Sequence, residues 1–446
     1  MTEYKRDFGS FHSSNVQETI NLPEDQYIPP RFPVEIPGFP DIDENFEFGK
    51  SCRKKHFYLE DDCIFINHGA FGGVLKEAME TAQKWQIYTE RQPLRFFDRE
   101  LIPHMVHISR RLAKFVGCDS SDLVLVTNAT TAINTVVKGV NLQKGDTVYM
   151  LNLTYGAVKK LLRWQCQQTG AILQEEVVTL PLTSRKQITD IVRKSLKEGT
   201  KLAVFDHIPS NTPFILPIDD LIQICKDKNV PVLIDGAHAL GALHLDLKSL
   251  DPDYYVSNAH KWFCAPKGCA FMYVKKELQP ETHPLVISHG FGSGFNSEFI
   301  WAGLHDYSPF LALHTVIDFW EAVGVSKIRQ YMYGLFINAC DLLIQKWGTK
   351  RTVPADMYGC MGLIEIPADV YKKDKIVQYA DAESLQNMLY HQFNIEVPIK
   401  CVDGVLYVRI SCHIYNDISD YEKLGDAVLT IMREQISNKK QKLSGD

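Results

Sequence analysis

Between residues 56 and 320, short apolar and β-branched runs alternate with amphipathic stretches long enough for helices. The runs are DLVLVTN, DTVYMLN, AILQEEVV, KLAVFDH, VPVLIDG, DYYVSNAH and GCAFMYV. Strands separated by helix-length segments, most of them apolar throughout, predict a mainly parallel sheet covered on both faces. HTVIDFWEAVG reads as a long helix beginning near Pro309. Beyond it come a strand in GLIEIP, a helix from Asp381 to Phe393, a hairpin in IEVPIKCVDGVLYVRIS and a last helix from Ser419, which together predict an α+β unit. The first fifty-five residues are rich in Pro, Asp and Glu and predict an extended arm. The expected organisation is an arm over 1–55, a large α/β domain over 56–320 and a small C-terminal domain over 321–446.

Composition narrows the partners. With 45% hydrophobic and 23% charged residues, the 446-residue chain has the balance of a folded globular protein. Its 48 Lys and Arg stand against 54 Asp and Glu, net −6, with no basic stripe, so nucleic acid and anionic membrane are not expected partners. No apolar run reaches membrane-spanning length. The 11 cysteines are scattered without CxxC pairs, which suggests free thiols in a reducing compartment. The first residues lack the basic start and apolar run of a secretory signal, and Glu3 and Asp7 disfavour a mitochondrial presequence, so a cytoplasmic location is expected. His104 and His107 lie one helical turn apart without further ligands at usable spacing, and no metal is expected.

The chemistry concentrates in three places. In SNAHKWFCAPKGCAFMYV, Lys261 follows His260 at the end of an apolar strand. Such a pair is by itself uninformative, because most lysines are solvated surface groups. Upstream, VPVLIDGAHALG sets Asp235 and His238 just past another strand, where open α/β sheets bind ligands. Further back, VLVTNATTAIN passes from strand to helix through Asn128, Ala129, Thr130 and Thr131, an anion-binding helix N-terminus. A lysine for an aldehyde, a carboxylate for a ring nitrogen and a helix N-terminus for a phosphate are what pyridoxal 5′-phosphate (PLP) requires.

The segments FINHGAFG, TNATTAIN, LTYGAVKK, DGAHALG, NAHKWFCAPKG, SHGFGSGFNSEFIWAGLHD and VRISCHIYN occur in this order. They resemble motifs of the class V aminotransferase and cysteine desulfurase group of fold type I PLP enzymes. Within that group they are most similar to the isopenicillin N epimerase-like branch, which includes cysteine desulfhydrases and C–S lyases. The resemblance implies a doubly wound α/β domain with a small α+β domain, working as a homodimer whose arm is placed to wrap the partner. It implies that Lys261 carries the cofactor and shuttles the Cα proton, that Asp235 pairs with the pyridine nitrogen, and that His238 approaches the ring hydroxyl. Ala129 (through its backbone N–H), Thr130, Asn258 and His260 would hold the phosphate, and Tyr155 would stack on the ring. Arg409 would clamp the substrate carboxylate, with Asn67 and His68 lining the substrate entrance.

The activity implied is lyase chemistry at an amino acid: β-elimination of a sulfur-bearing group first, epimerisation at Cα second, transamination third, with PLP binding without turnover as the non-enzyme reading. Two positions depart from the pattern. Leu304 in WAGLHD stands where the branch commonly has a threonine that reaches the phosphate of the neighbouring subunit. A desulfurase also needs a mobile nucleophilic cysteine before the arginine, whereas Cys401 falls in a compact hairpin.

Overall fold

The computed structural model describes residues 16–443 apart from 41, 43–44 and 372–376. All seven apolar runs become strands of one sheet: β1 (Leu123–Val126), β2 (Thr147–Leu151), β3 (Ile172–Glu176), β4 (Leu202–Asp206), β5 (Val232–Asp235), β6 (Tyr254–Asn258) and β7 (Ala270–Val274). Their order is β1-β7-β6-β5-β4-β2-β3. Only β7 runs antiparallel to its neighbours. The helices that matter here are α1 (Lys76–Arg91), α2 (Leu101–Val116), α3 (Ala129–Gly139), α4 (Gly156–Thr169), α5 (Leu313–Val323), α6 (Val325–Trp347), α7 (Tyr379–Phe393) and α8 (Ile418–Leu443).

The runs are apolar throughout because both faces of the sheet are buried. Val124, Val148, Met150, Val204 and Met272 pack with Ile133 and Val136 of α3 and Leu162 of α4. The alternate residues Leu125, Tyr149, Phe205, Ile234 and Phe271 belong to the second core, which continues into the C-terminal unit. Apart from the edge strand β3, with Gln174 to Glu176, and Ser257 in β6, polar residues gather where the strands stop. Asp206, Asp235 and Asn258 are the last residues of β4, β5 and β6, three neighbouring strands.

The helix expected to start near Pro309 is broken. A single turn at Ser308–Leu311 precedes α5, and Gly324, at φ 95°, separates α5 from α6. The C-terminal sheet is antiparallel, with β8 (Met361–Glu365), β9 (Ile399–Val402) and β10 (Val405–Ser411) in the order β9-β10-β8. The hairpin between β9 and β10 turns at Asp403 and Gly404, with φ 49° and 78°, the two left-handed positions that a type I′ turn demands.

The segment that follows the arm is tied to this smaller sheet region. Ile64–Phe65 pair in parallel with Ile395–Glu396, and Ser411 N–H donates to Ile66 O at 3.0 Å. That pairing brings Asn67 to Arg409. The described part of the arm packs on its own chain: Val16 and Ile20 are buried with Ile102 and Val106, and Phe32 meets Trp85 and His314. Residues 1–15 lie outside the described residues.

Candidate active site

A cavity of about 210 Å³ opens at the C-terminal ends of β4, β5 and β6, facing the N-terminus of α3. That is the space of about seven waters. Ala129, Thr130, Tyr155, Asp235, His238, Asn258, His260 and Lys261 all border it. Asn67 and Arg409 meet beside it, and His68 lies elsewhere.

Lys261 Nζ stands 3.2 Å from His238 Nε2. On the far side of the imidazole, the indole N–H of Trp262 donates to His238 Nδ1 at 3.1 Å. An indole nitrogen can only donate, so Nδ1 is the acceptor and the proton of the neutral ring sits on Nε2. His238 is held neutral by burial, reinforced by the charges of Lys261 and Arg409. It therefore offers Lys261 a donor, which suits a neutral amine and disfavours an ammonium. Burial pulls the Lys261 ammonium down to about 8, against the charge of Asp235 and with that of Arg409. The lysine is thus prepared as a nucleophile near neutral pH.

Asp235 ends β5 buried, with Oδ1 accepting the N–H of Ala237 at 3.0 Å. Beside it, at the end of β4, stands Asp206, its register partner, which the sequence reading passed over. Asp206 Oδ1 accepts the Tyr155 N–H at 3.3 Å, and Oδ2 is buried without a hydrogen-bond partner. Burial and then the charge of Asp235 push the Asp206 carboxyl well above its ordinary range. The signal was there: KLAVFDH ends in an aspartate as VPVLIDG does, and parallel neighbours align their ends.

At the other end of the cavity, Asn128 caps α3 by accepting the Thr131 N–H at 2.8 Å. The expectation for Ala129 needs correction. Its N–H donates to Asn258 Oδ1 at 2.9 Å and is not open to an anion. That bond instead turns the Asn258 amide so that its NH₂ is the open group. Thr130, with its hydroxyl and first-turn N–H, supplies the remaining donors at the positive end of the helix. His260 Nδ1 donates to Cys269 O at 3.0 Å, leaving Nε2 as the open nitrogen. Burial lowers this imidazole to about 4, and a phosphate dianion at Nε2 would restore its proton.

Arg409 is buried, donating from Nη1 to Ser210 O at 2.6 Å and from Nη2 to Asn67 Oδ1 at 2.9 Å, while Nε has no partner. Among the described residues no acidic side chain pairs with it. Burial lowers even this guanidinium, to about 10. A buried cation without a counter-charge is costly unless an anion arrives, and a carboxylate matches the fork.

His68, expected at the substrate entrance, is fully buried. Its Nε2–H donates to Lys261 O at 2.9 Å and its Nδ1 accepts the Tyr415 hydroxyl at 2.7 Å. Stacked on it at 4.0 Å, His413 donates to the next carbonyl, Trp262 O, at 3.1 Å. The two imidazoles hold the backbone that carries the lysine. Gly72, at φ 73°, runs so close that a Cβ there would stand 2.2 Å from His260 O.

A lysine amine, a buried carboxylate and an anion cradle with open Thr130 and Asn258 donors fit PLP. The comparisons agree with the fold and with PLP as the cofactor. A probable chloroplastic L-cysteine desulfhydrase of Arabidopsis thaliana is 30% identical over 87% of this chain and 87% of its own length. The hercynylcysteine sulfoxide lyase of Schizosaccharomyces pombe is 25% identical, covering 85% of this chain and 96% of its own. Among solved structures, a cysteine desulfurase of Thermococcus onnurineus NA1 superposes with a TM-score of 0.71 at 16% identity, covering 87% of this chain and 99% of that one. The aminotransferase class-V profile matches residues 73–424, and on that match the chain belongs to the class-V aminotransferase family.

Proposed function

We propose that this protein is a PLP-dependent lyase that eliminates a sulfur-bearing group from Cβ of an amino acid, with cysteine or a cysteine sulfoxide conjugate as substrate. The observation that carries this reading is the cavity that sets the low-pKa Lys261 beside buried Asp235, with the unpaired Arg409 at its flank. Relatives named as a cysteine desulfhydrase and a sulfoxide lyase support the sulfur-containing substrate.

PLP, when bound, draws electrons away from Cα so that the Cα proton and then the β-substituent can leave. The chain's own residues do the rest. Thr130, Asn258 and His260 would hold the phosphate, Asp235 would keep the ring nitrogen protonated, and His238 would lie on the side of the ring hydroxyl. Arg409, steadied by Asn67 and Ser210, orients the substrate by its carboxylate. Lys261, which would also hold the cofactor, is the base placed to take the Cα proton. With cysteine the balance is cysteine plus water giving sulfide, pyruvate and ammonia.

The test is a panel of amino acids assayed for pyruvate, sulfide and deuterium uptake at Cα from heavy water. Pyruvate with sulfide supports elimination. Deuterium at Cα without pyruvate would replace the lyase with an epimerase, and no exchange with any amino acid would end the reading. Borohydride reduction should fix the cofactor on Lys261, and a label on Lys267 would move the anchor.

The protein is further read as a cytoplasmic homodimer. Exposed apolar residues at Leu285, Val286, Ile287 and Phe291, and separately Leu304, support association, and eleven free cysteines support a reducing compartment. Sedimentation at monomer mass, or an organelle location in cells, would overturn the respective statement.

A further inference from the structure

We propose that Asp206 is a second carboxyl of the cofactor pocket that keeps its proton, so that Asp206 and Asp235 together hold a single negative charge opposite the pyridine nitrogen. Asp206 and Asp235 are register partners on adjacent parallel strands, spaced about 4.8 Å apart. Register partners project to the same side, and both border the same cavity, 4% exposed each. Two carboxylates so placed, out of water, do not both ionise.

The surroundings decide which one keeps the proton. Facing the pair are Lys261 and His238 from the loops after β6 and β5, Tyr255 from β6 and Lys159 from α4; Tyr255 is kept neutral by burial, and Lys261 acts on both carboxyls. Lys159 is already paired with Glu175 at 2.6 Å. His238 is held neutral. Burial raises the Asp235 carboxyl as well, but the Ala237 N–H and the charge of Lys261 oppose it, and it stays lower than Asp206. Asp206 has the Tyr155 N–H, the Thr154 hydroxyl and the distant Lys159 on its side, outweighed by burial, the largest influence, and by Asp235 itself. The proton goes to Asp206, and its oxygen without a protein acceptor, Oδ2, is where a donor O–H is free to turn toward Asp235 or the bound ring.

The consequence is a charge match. One carboxylate against one protonated ring nitrogen is a neutral buried pair, and a second carboxylate would leave a charge uncompensated. Asp206 acts through Asp235, so it is a positioning residue. This role rests on the PLP reading above, but the proton on Asp206 can be seen without any cofactor.

Infrared difference spectra between wild type and Asp206→Asn, recorded loaded and cofactor-free at about pH 8, should show a protonated-carboxyl carbonyl stretch that the variant lacks. Asp235→Asn should move the pH at which the band is lost downward, because the neighbouring charge is gone while burial, the larger influence, remains. Absence of the band in wild type, or a band indifferent to Asp206→Asn, would overturn the proposal whatever the cofactor proves to be. In the loaded protein, Asp206→Leu removes the donor and should weaken PLP binding by about tenfold and shift the pH titration of the visible cofactor band. Asp206→Asn, which keeps an N–H donor at the same place, should stay within about threefold of wild type. Equal behaviour of the two variants would overturn the donor role, and if Asp206→Leu does not fold, the infrared band decides alone.

Discussion

Replacing Trp262 by Phe removes one donor and leaves the rest of the lysine's surroundings in place. In the native protein the indole N–H fixes the His238 proton on Nε2, where it meets Lys261 Nζ at 3.2 Å. Without the indole, both tautomers of the imidazole leave Nδ1 unpaired, and the choice passes to the lysine. An ammonium then recruits the tautomer with a bare Nε2 and gains an acceptor. A buried hydrogen bond of this kind is worth about 1–2 kcal/mol, so the Lys261 ammonium should rise by about one pH unit, from about 8 to about 9. The sign follows from the reactive form: only the neutral amine attacks an aldehyde, so capture of PLP rises with pH through the lysine's own value. At pH 8 the neutral fraction should fall from about one half to about one tenth, an approximately fivefold slower capture that disappears near pH 10. Stopped-flow absorbance of PLP binding to cofactor-free protein, from about pH 6.5 to about pH 10, reads this directly, with thermal melting to show that the variant is folded. A folded variant whose capture midpoint remains at the wild-type value would refute the tautomer argument.

Asp235→Asn removes the anion opposite the ring nitrogen, at about 3–5 kcal/mol, and should slow turnover by about 10²- to 10⁴-fold; a variant that turns over normally with PLP bound would remove Asp235 from its role. Arg409→Lys keeps the charge but loses the fork and its bonds to Ser210 and Asn67, so KM should rise about 30- to 150-fold, or about 2–3 kcal/mol. An unchanged KM would mean that another group holds the carboxylate. Cys401 sits in strand β9 opposite Leu406, its thiol 3.5 Å from Val377 O, so Cys401→Ala should keep most activity. Mass spectrometry after incubation with cysteine should find no persulfide there, and alanine together with a Cys401 persulfide would point to a desulfurase.

The strands were legible because burial on both faces makes them apolar throughout, and the hairpin because Asp403 and Gly404 announce its turn. The broken helix was not. Gly324 sits inside HTVIDFWEAVGVSKI, where helical periodicity continues on both sides, and a glycine in such a run is often tolerated. The motif around Lys261 gave the residues of the cavity but not their hydrogen-bond directions. That the Ala129 N–H is spent on Asn258, and that His68 lies beneath the lysine, depends on contacts across 129 and 193 residues of chain. Trp262 was visible in NAHKW, but its aim at His238 comes only from the path of the loop. Asp206 could have been found by aligning the polar ends of KLAVFDH and VPVLIDG, once the two strands were taken as neighbours.

The contact between Asn67 and Arg409 spans 342 residues, and that separation sets an order of assembly during synthesis. At about 5–20 residues per second the ribosome needs roughly 17–70 seconds to make Arg409 after Asn67. The strands that carry Asp206 and Asp235, and the loop that carries Lys261, have all emerged long before. A nascent chain can therefore form the strand ends of its cofactor cavity while the carboxylate clamp, and the His413 and Tyr415 that brace the lysine loop, do not yet exist. Chains that terminate before the hairpin would lack both the clamp and the brace of the lysine loop, which makes the stretch from Arg409 onward the point at which lysine and clamp are set together.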